Sequence, residues 1–201
     1  DFFPSVAAGE TLAFSLPWLP RYGINLSFYV DGLSLLFALL ISGIGALVVL
    51  YASGYLKGHQ HLGRFFGFIL AFMASMLGLV LADNVVTLFV FWELTSITSF
   101  LLIGFDHSRE AARRAAFQAL TITAMGGIVL LVGLLMLGLA GGSFEMSELL
   151  GRGELVRNHP WAVGILLLLL VGAFTKSAQV PFHSWLPNAM EAPTPVSAYL
   201  H

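Results

Sequence analysis

Glu93 and Lys176 are an acid and a base set within stretches that otherwise read as membrane-spanning. A charge at bilayer depth costs about 2.5–3.5 kcal/mol on insertion scales, so such residues face a protein interior or a water-filled path. On two different spans they read as a pair whose attraction depends on protonation. That is the chemistry of proton or ion movement rather than of bond breaking. Glu93 lies near the middle of its span, too deep to snorkel. Thr95, Ser96, Thr98 and Ser99 surround it, and Ser96 and Ile97 share its face at helical spacing. The competing reading is a structural carboxyl bonded to a neighbouring helix.

Lys176 follows the apolar run from Trp161 to Phe174 and precedes Pro181. It is either a lysine at a break within a span or one that snorkels from a helix end to the interface. His183 stands seven residues further on, two turns along the same face if the helix resumes. His201 stands eight residues after Pro193, in a helix opening APTPVSAYLH. Histidine titrates near neutral pH and relays protons, although a lone histidine is often only hydrogen-bonded. Asp83, in the tight turn before Asn84, is a candidate for ion access or for satisfying free helix amides. His59 and His61 form an HxH that reads as a solvated loop more readily than as a metal site. Glu110 with Arg113 and Arg114 is an ordinary i, i+3 and i, i+4 surface set.

These residues need spans to hold them. Residues 10–30 partly alternate apolar and polar side chains, punctuated by Pro17, Pro20 and Gly23, and predict a β-hairpin at the membrane surface. Spans are predicted at 31–55, 65–81, 84–104 and 111–139, each long enough for about 30 Å of hydrocarbon. A fifth, over 161–190, is predicted to be broken. Its apolar run covers only about 21 Å at 1.5 Å per residue, Pro181 stops a helix, and a second short segment runs from Phe182 to Met190. Discontinuous helices at the midplane mark transport sites. A short amphipathic helix, SFEMSELL, is expected between the fourth and fifth spans, closed by Gly151, and residues 193–201 start a further helix. The predicted fold class is an all-α polytopic membrane protein: one helix bundle with a break near 176–181 and a small external β-hairpin.

Composition agrees. Of 201 residues, 58% are hydrophobic and 10% charged, against about 25% charged in soluble domains. The lack of cysteine removes disulfides, thiolate metal sites and catalytic thiols. A net charge of −2 offers no basic field for nucleic acid. No phosphate loop, Ser/His/Asp arrangement, or quinone or flavin motif is present, so no cofactor is expected. Lys57, Arg64, Arg109, Arg113 and Arg114 fall on one side of the predicted topology and Arg21, Arg152 and Arg157 on the other. The first side is therefore expected to be cytoplasmic, with Trp18 and Trp161 in the opposite belt. The chain starts at Asp1 and stops within a helix, so a piece of a longer polypeptide is expected.

The blocks VLADNVVTLFVFWELTSITSFLLIGF (80–105) and GAFTKSAQVPFHSWLPNAMEAPTPVSAYLH (172–201) resemble the proton-translocating antiporter family shared by respiratory complex I, membrane-bound hydrogenases and Mrp-type cation/proton antiporters. The wording WELTS and NAMEAPTPVSAYLH, with the hairpin GETLAFSLPW, is most similar to the large A subunits of the Mrp branch. The resemblance covers nearly the whole chain. It implies an intramembrane axis in which Glu93 matches the family's helix-borne glutamate and Lys176 its lysine on a broken helix. His183 matches the histidine after the PF dipeptide, and His201 the one ending the APTPVSAYLH motif. It also implies a secondary transporter rather than an enzyme, H⁺ and Na⁺ as cargo, other membrane subunits as partners, and a prokaryotic cytoplasmic membrane. Two alternatives remain at this level: a proton-pumping subunit of a complex I-like or hydrogenase assembly, and a structural subunit with a dead ion path.

Overall fold

A computed structural model describes residues 3–200. A short helix α1 (Phe3–Ala7) leads into strands β1 (Leu12–Leu19) and β2 (Ile24–Val30), paired antiparallel with Ser15 opposite Ser27. A 3-10 turn over Pro20–Tyr22 joins the strands and closes on Gly23 at φ +66°, a conformation that suits a residue without a side chain. β2 faces inward with Ser27 buried, while Phe14, Leu16 and Trp18 of β1 are exposed.

The long helices follow: α2 (Gly32–Tyr55), α3 (Leu62–Leu81), α4 (Val85–Ile103) and α5 (Glu110–Gly141). All four are long and apolar enough to cross a membrane. α2 starts on a capping box: Ser34 N–H donates to Asp31 Oδ1 at 2.8 Å, and Asp31 N–H donates to Ser34 Oγ at 2.8 Å. α4 starts on Asn84, whose Oδ1 accepts from Val86 N–H at 3.0 Å. Two short helices, α6 (Met146–Gly151) and α7 (Gly153–Arg157), cross from α5 to α8 (Ala162–Lys176). At 15 residues, α8 is only about 22 Å long.

After Lys176 the chain breaks before it turns helical again. Ala178 has φ +53° and Val180–Pro181 is cis. The second half of the fifth span, expected as a short segment over Phe182–Met190, is an unbroken run of helical turns over Phe182–Glu191, part 3-10 and part α. These are a 3-10 turn at Phe182–Ser184, α9 (Trp185–Asn188) and a 3-10 turn at Ala189–Glu191, followed by α10 (Thr194–Leu200). Pro181 and Pro187 lack the N–H groups that a continuous helix would use. The architecture is the expected helical bundle with a small antiparallel sheet and a break after Lys176.

Apolar packing divides into two clusters. One joins α2, α3, α10 and the neighbouring ends of α4 and α5 through Phe65, Ile69, Ile103, Ala116 and Val196. The other joins the opposite end of α4 to α5 and α6 through Val85, Leu130, Leu134 and Leu149. The middle of α4, Glu93 to Ser99, belongs to neither, and it carries the polar residues.

Candidate functional site

α5 comes close to both α4 and α8 because glycines face the contacts. A Cβ on Gly127 would meet the Glu93 carboxylate, and Trp92 Cδ1 at 3.5 Å. A Cβ on Gly126 would meet Thr175 of α8, and one on Gly172 would lie 2.5 Å from Leu130 Cβ. Small residues let membrane helices approach at backbone distance. Here they seat the Glu93 carboxylate against α5 and bring the end of α8 to α4.

Lys176, the last residue of α8, reaches across to α4. Its ammonium donates to Ser96 Oγ at 2.7 Å and to the Trp92 carbonyl at 3.4 Å, and it lies 5.5 Å from the centre of the Trp92 ring. No ion pair to Glu93 forms within 4.0 Å among the described residues. The two are thus not in direct contact: the lysine sits on Ser96, one helical turn away. The reason is local. Ser96 and the Trp92 carbonyl already face the end of α8, while the Glu93 carboxylate points to α5. Glu93 Oε1 and Trp92 Nε1 are buried and have no hydrogen-bond partner among the described residues. Buried polar groups are rarely left so, and an orphaned one asks for a reason.

Trp185 Nε1 donates to the Thr175 carbonyl at 2.9 Å, satisfying an acceptor freed by the end of α8. A cavity of about 200 Å³ opens beside Lys176 towards Leu200, bordered by Thr95, Ser99 and Thr123. It has room for several waters. Each of these three hydroxyls donates to a carbonyl of its own helix, at 2.7, 2.8 and 2.8 Å. Their remaining lone pairs can accept from water.

The other expected site residues lie elsewhere. His183 is exposed on the 3-10 turn beyond the break; its carbonyl accepts from Trp185 N–H, and its imidazole has no ion pair among the described residues. The expectation that it shares a face with Lys176 fails because the helix does not continue through Ala178 and Pro181. His201 lies outside the described residues. Asp83 is buried and caps α6 rather than its own helix, its two oxygens accepting from Ser147 N–H at 2.7 Å and Ser147 Oγ at 2.8 Å. The neighbouring Glu145 accepts from Asn25 Nδ2 at 2.7 Å, Ser27 Oγ at 2.5 Å and Asn84 Nδ2 at 3.1 Å. Sequence reasoning missed this knot of hairpin, α4 and α6. Its only signal was isolated polar side chains, Asn25 and Asn84, in apolar surroundings. His59 and His61 rings lie 5.9 Å apart, and no cluster of three metal-binding side chains exists among the described residues. Glu110 pairs with Arg114 at 2.5 Å, while Arg113 turns instead to the carbonyls of His107 and Ser108.

A carboxylate with one buried, unpartnered oxygen, a lysine one turn away and a cavity beside that lysine form a polar layer between two apolar cores. The family model described as "NADH:quinone oxidoreductase/Mrp antiporter, TM" matches residues 82–201, which hold that layer. The chain belongs to this family. A second model, "NADH-Ubiquinone oxidoreductase (complex I), chain 5 N-terminus", matches residues 18–66. The Na(+)/H(+) antiporter subunit A1 of Staphylococcus aureus strain JH9 is 51% identical over 96% of this chain and 24% of its own length, and strain Newman gives the same values. The structure of the Mrp complex from Dietzia sp. DQ12-45-1b contains a chain similar at TM-score 0.89 and 41% identity, over 95% of this chain and 21% of that one. The chain thus spans about a quarter of the length of the curated Mrp-family relatives it matches.

Proposed function

We propose that this chain is the part of a multisubunit Na⁺/H⁺ antiporter that moves protons along an intramembrane axis through Glu93 and Lys176. His183 and His201 continue the path, and Asp83 stands at its rim. The observation that carries the reading is the Lys176 ammonium on Ser96, one turn from the unpaired Glu93 oxygen. A lysine with two alternative anchors on one helix is a two-state element. On Ser96 it leaves Glu93 free to take a proton, and on Glu93 it displaces that proton. At an effective dielectric near 20, a contact at about 4 Å contributes roughly 4 kcal/mol. One pH unit supplies about 1.4 kcal/mol. A gradient of a few units is therefore of the right order to move the switch and to couple proton uptake to Na⁺ exit. The reading includes no resident cofactor. It assigns other membrane subunits as partners and a multi-pass place in a prokaryotic cytoplasmic membrane. The names of the S. aureus relatives and the Mrp complex similarity support it over the redox-driven branch.

The test is Na⁺-dependent dissipation of ΔpH in everted vesicles from an antiporter-deficient host carrying the intact complex. Wild type is expected to respond to Na⁺, and Glu93→Gln and Lys176→Ala to assemble but not respond. Na⁺ exchange at wild-type rate in both variants would end the proposal. Proton pumping driven by NADH or ferredoxin oxidation, without a Na⁺ response, would move the chain to the redox-driven branch.

A further inference from the structure

The ends of α3, α4 and α5 that carry the basic residues enclose a groove of about 260 Å³ unrelated to the Glu93–Lys176 layer. Its rim is cationic. Arg64 lies over the Phe105 ring at 5.0 Å and donates through Nη2 to the Phe105 carbonyl at 3.0 Å, while its Nε is buried with no partner among the described residues. Arg113 donates through Nη1 alone, to the carbonyls of His107 and Ser108 at 2.5 and 3.1 Å. Neither guanidinium has a carboxylate within 4.0 Å among the described residues, although Arg109, Arg114 and Arg152 each do. Below the rim the lining turns apolar. Phe68 lies one turn along α3 from Arg64, Phe117 one turn along α5 from Arg113, and Phe100 beside them on α4. Phe117 is 60% exposed and meets Phe100 edge to face at 5.3 Å.

We propose that this groove binds one anionic phospholipid, its phosphodiester between Arg64 and Arg113 and an acyl chain along Phe68, Phe100 and Phe117. Arginine forks match phosphate oxygens, and the guanidinium N–H groups of Arg64 and Arg113 that have no carboxylate partner can donate to them. The order of chemistry, cation at the helix ends and aromatic surface one turn deeper, is that of a lipid at the interface. A soluble anion would use only the rim, and a neighbouring protein helix would leave two uncompensated guanidiniums beneath it.

The test is native mass spectrometry of the full-length chain in its assembled complex, delipidated and then titrated with palmitoyl-oleoyl phosphatidylglycerol or with the matching phosphatidylcholine. Wild type is expected to hold one phosphatidylglycerol at least tenfold more tightly than phosphatidylcholine. Arg113→Gln should reduce that preference about tenfold, Arg64→Gln with Arg113→Gln should remove it, and Arg64→Lys should keep part of it. Phe117→Ala, at an exposed position, should weaken both lipids alike. Equal phosphatidylglycerol binding in wild type and the double variant would overturn the site. If the double variant fails to assemble, an unchanged titration of Arg113→Gln and Phe117→Ala does the same. Displacement of the lipid by inorganic phosphate at matching concentration, or a partner-subunit helix found seated against Phe117, also overturns it.

Discussion

Two carboxylates from opposite parts of the molecule stand in opposite circumstances. Glu145, in the knot of hairpin, α4 and α6, accepts three side-chain hydrogen bonds. Glu93, midway along α4, has a buried oxygen with none, and the nearest cation rests on Ser96 instead. A fully satisfied carboxylate has no reason to change partners and holds its elements in one arrangement. An unsatisfied one gains from any partner that arrives, whether a proton, a lysine or water. The knot is built to stay and the α4 midpoint to exchange, although both use the same functional group.

The largest effect is expected where the exchange site depends on missing side chains. Gly127→Val forces a branched side chain into Glu93 and Trp92. Overpacking costs about 1–3 kcal/mol, and Na⁺-dependent ΔpH dissipation should fall at least a hundredfold in complexes that still assemble. Wild-type exchange in Gly127→Val would mean that the carboxylate position is irrelevant. At the knot, Glu145→Ala should do the reverse. It leaves Asn25, Ser27 and Asn84 short of an acceptor, costs about 1–3 kcal/mol and lowers the unfolding temperature, while exchange per assembled complex stays near wild type. Loss of exchange without loss of stability would place Glu145 among the exchanging groups and dissolve the contrast. Ser96→Ala removes one of the two anchors of Lys176 and should push the lysine towards Glu93. Exchange is expected to slow about tenfold, with a displaced pH profile rather than a scaled one.

The smallest effect belongs to a third carboxylate, Asp31, at the cap just outside α2. The Ser34 N–H holds its carboxyl below the ordinary value of 3.8. Its contribution is therefore complete above pH 4 and is lost as pH falls through the lowered folded value. Asp31→Ala should cost about 1 kcal/mol at neutral pH and flatten the thermal stability profile below pH 4. Asp31→Asn should keep most of the cap and lose the pH dependence. An acid-side profile in Asp31→Asn identical to wild type would remove the cap from the account.

Local signals made much of this legible. Apolar length marked the membrane helices, Pro17, Pro20 and Gly23 marked the hairpin, and the short run before Lys176 with Pro181 behind it marked the break. Glu93 and Lys176 stood out because charge is rare in such surroundings. What stayed hidden was tertiary. The same-face argument for His183 assumed helical register through a stretch where Ala178 adopts positive φ. That Lys176 would choose Ser96 over Glu93 depends on which way the carboxylate leaves α4, and that is decided by Gly127 on another helix. Asn25, Asn84, Asp83 and Glu145 meet only because β2, α4 and α6 converge, and no spacing within one segment carries that information.

The short travel of the lysine has an electrical consequence. From Ser96 to Glu93 is three residues along α4, about 4.5 Å at 1.5 Å per residue. That is roughly one-seventh of a hydrocarbon layer about 30 Å thick. A full crossing is worth about 2.3 kcal/mol per charge at 100 mV, so this step feels only about 0.3 kcal/mol, less than a factor of two in its equilibrium. The membrane potential therefore does its work on ions entering and leaving the layer, and the lysine step itself is nearly blind to voltage.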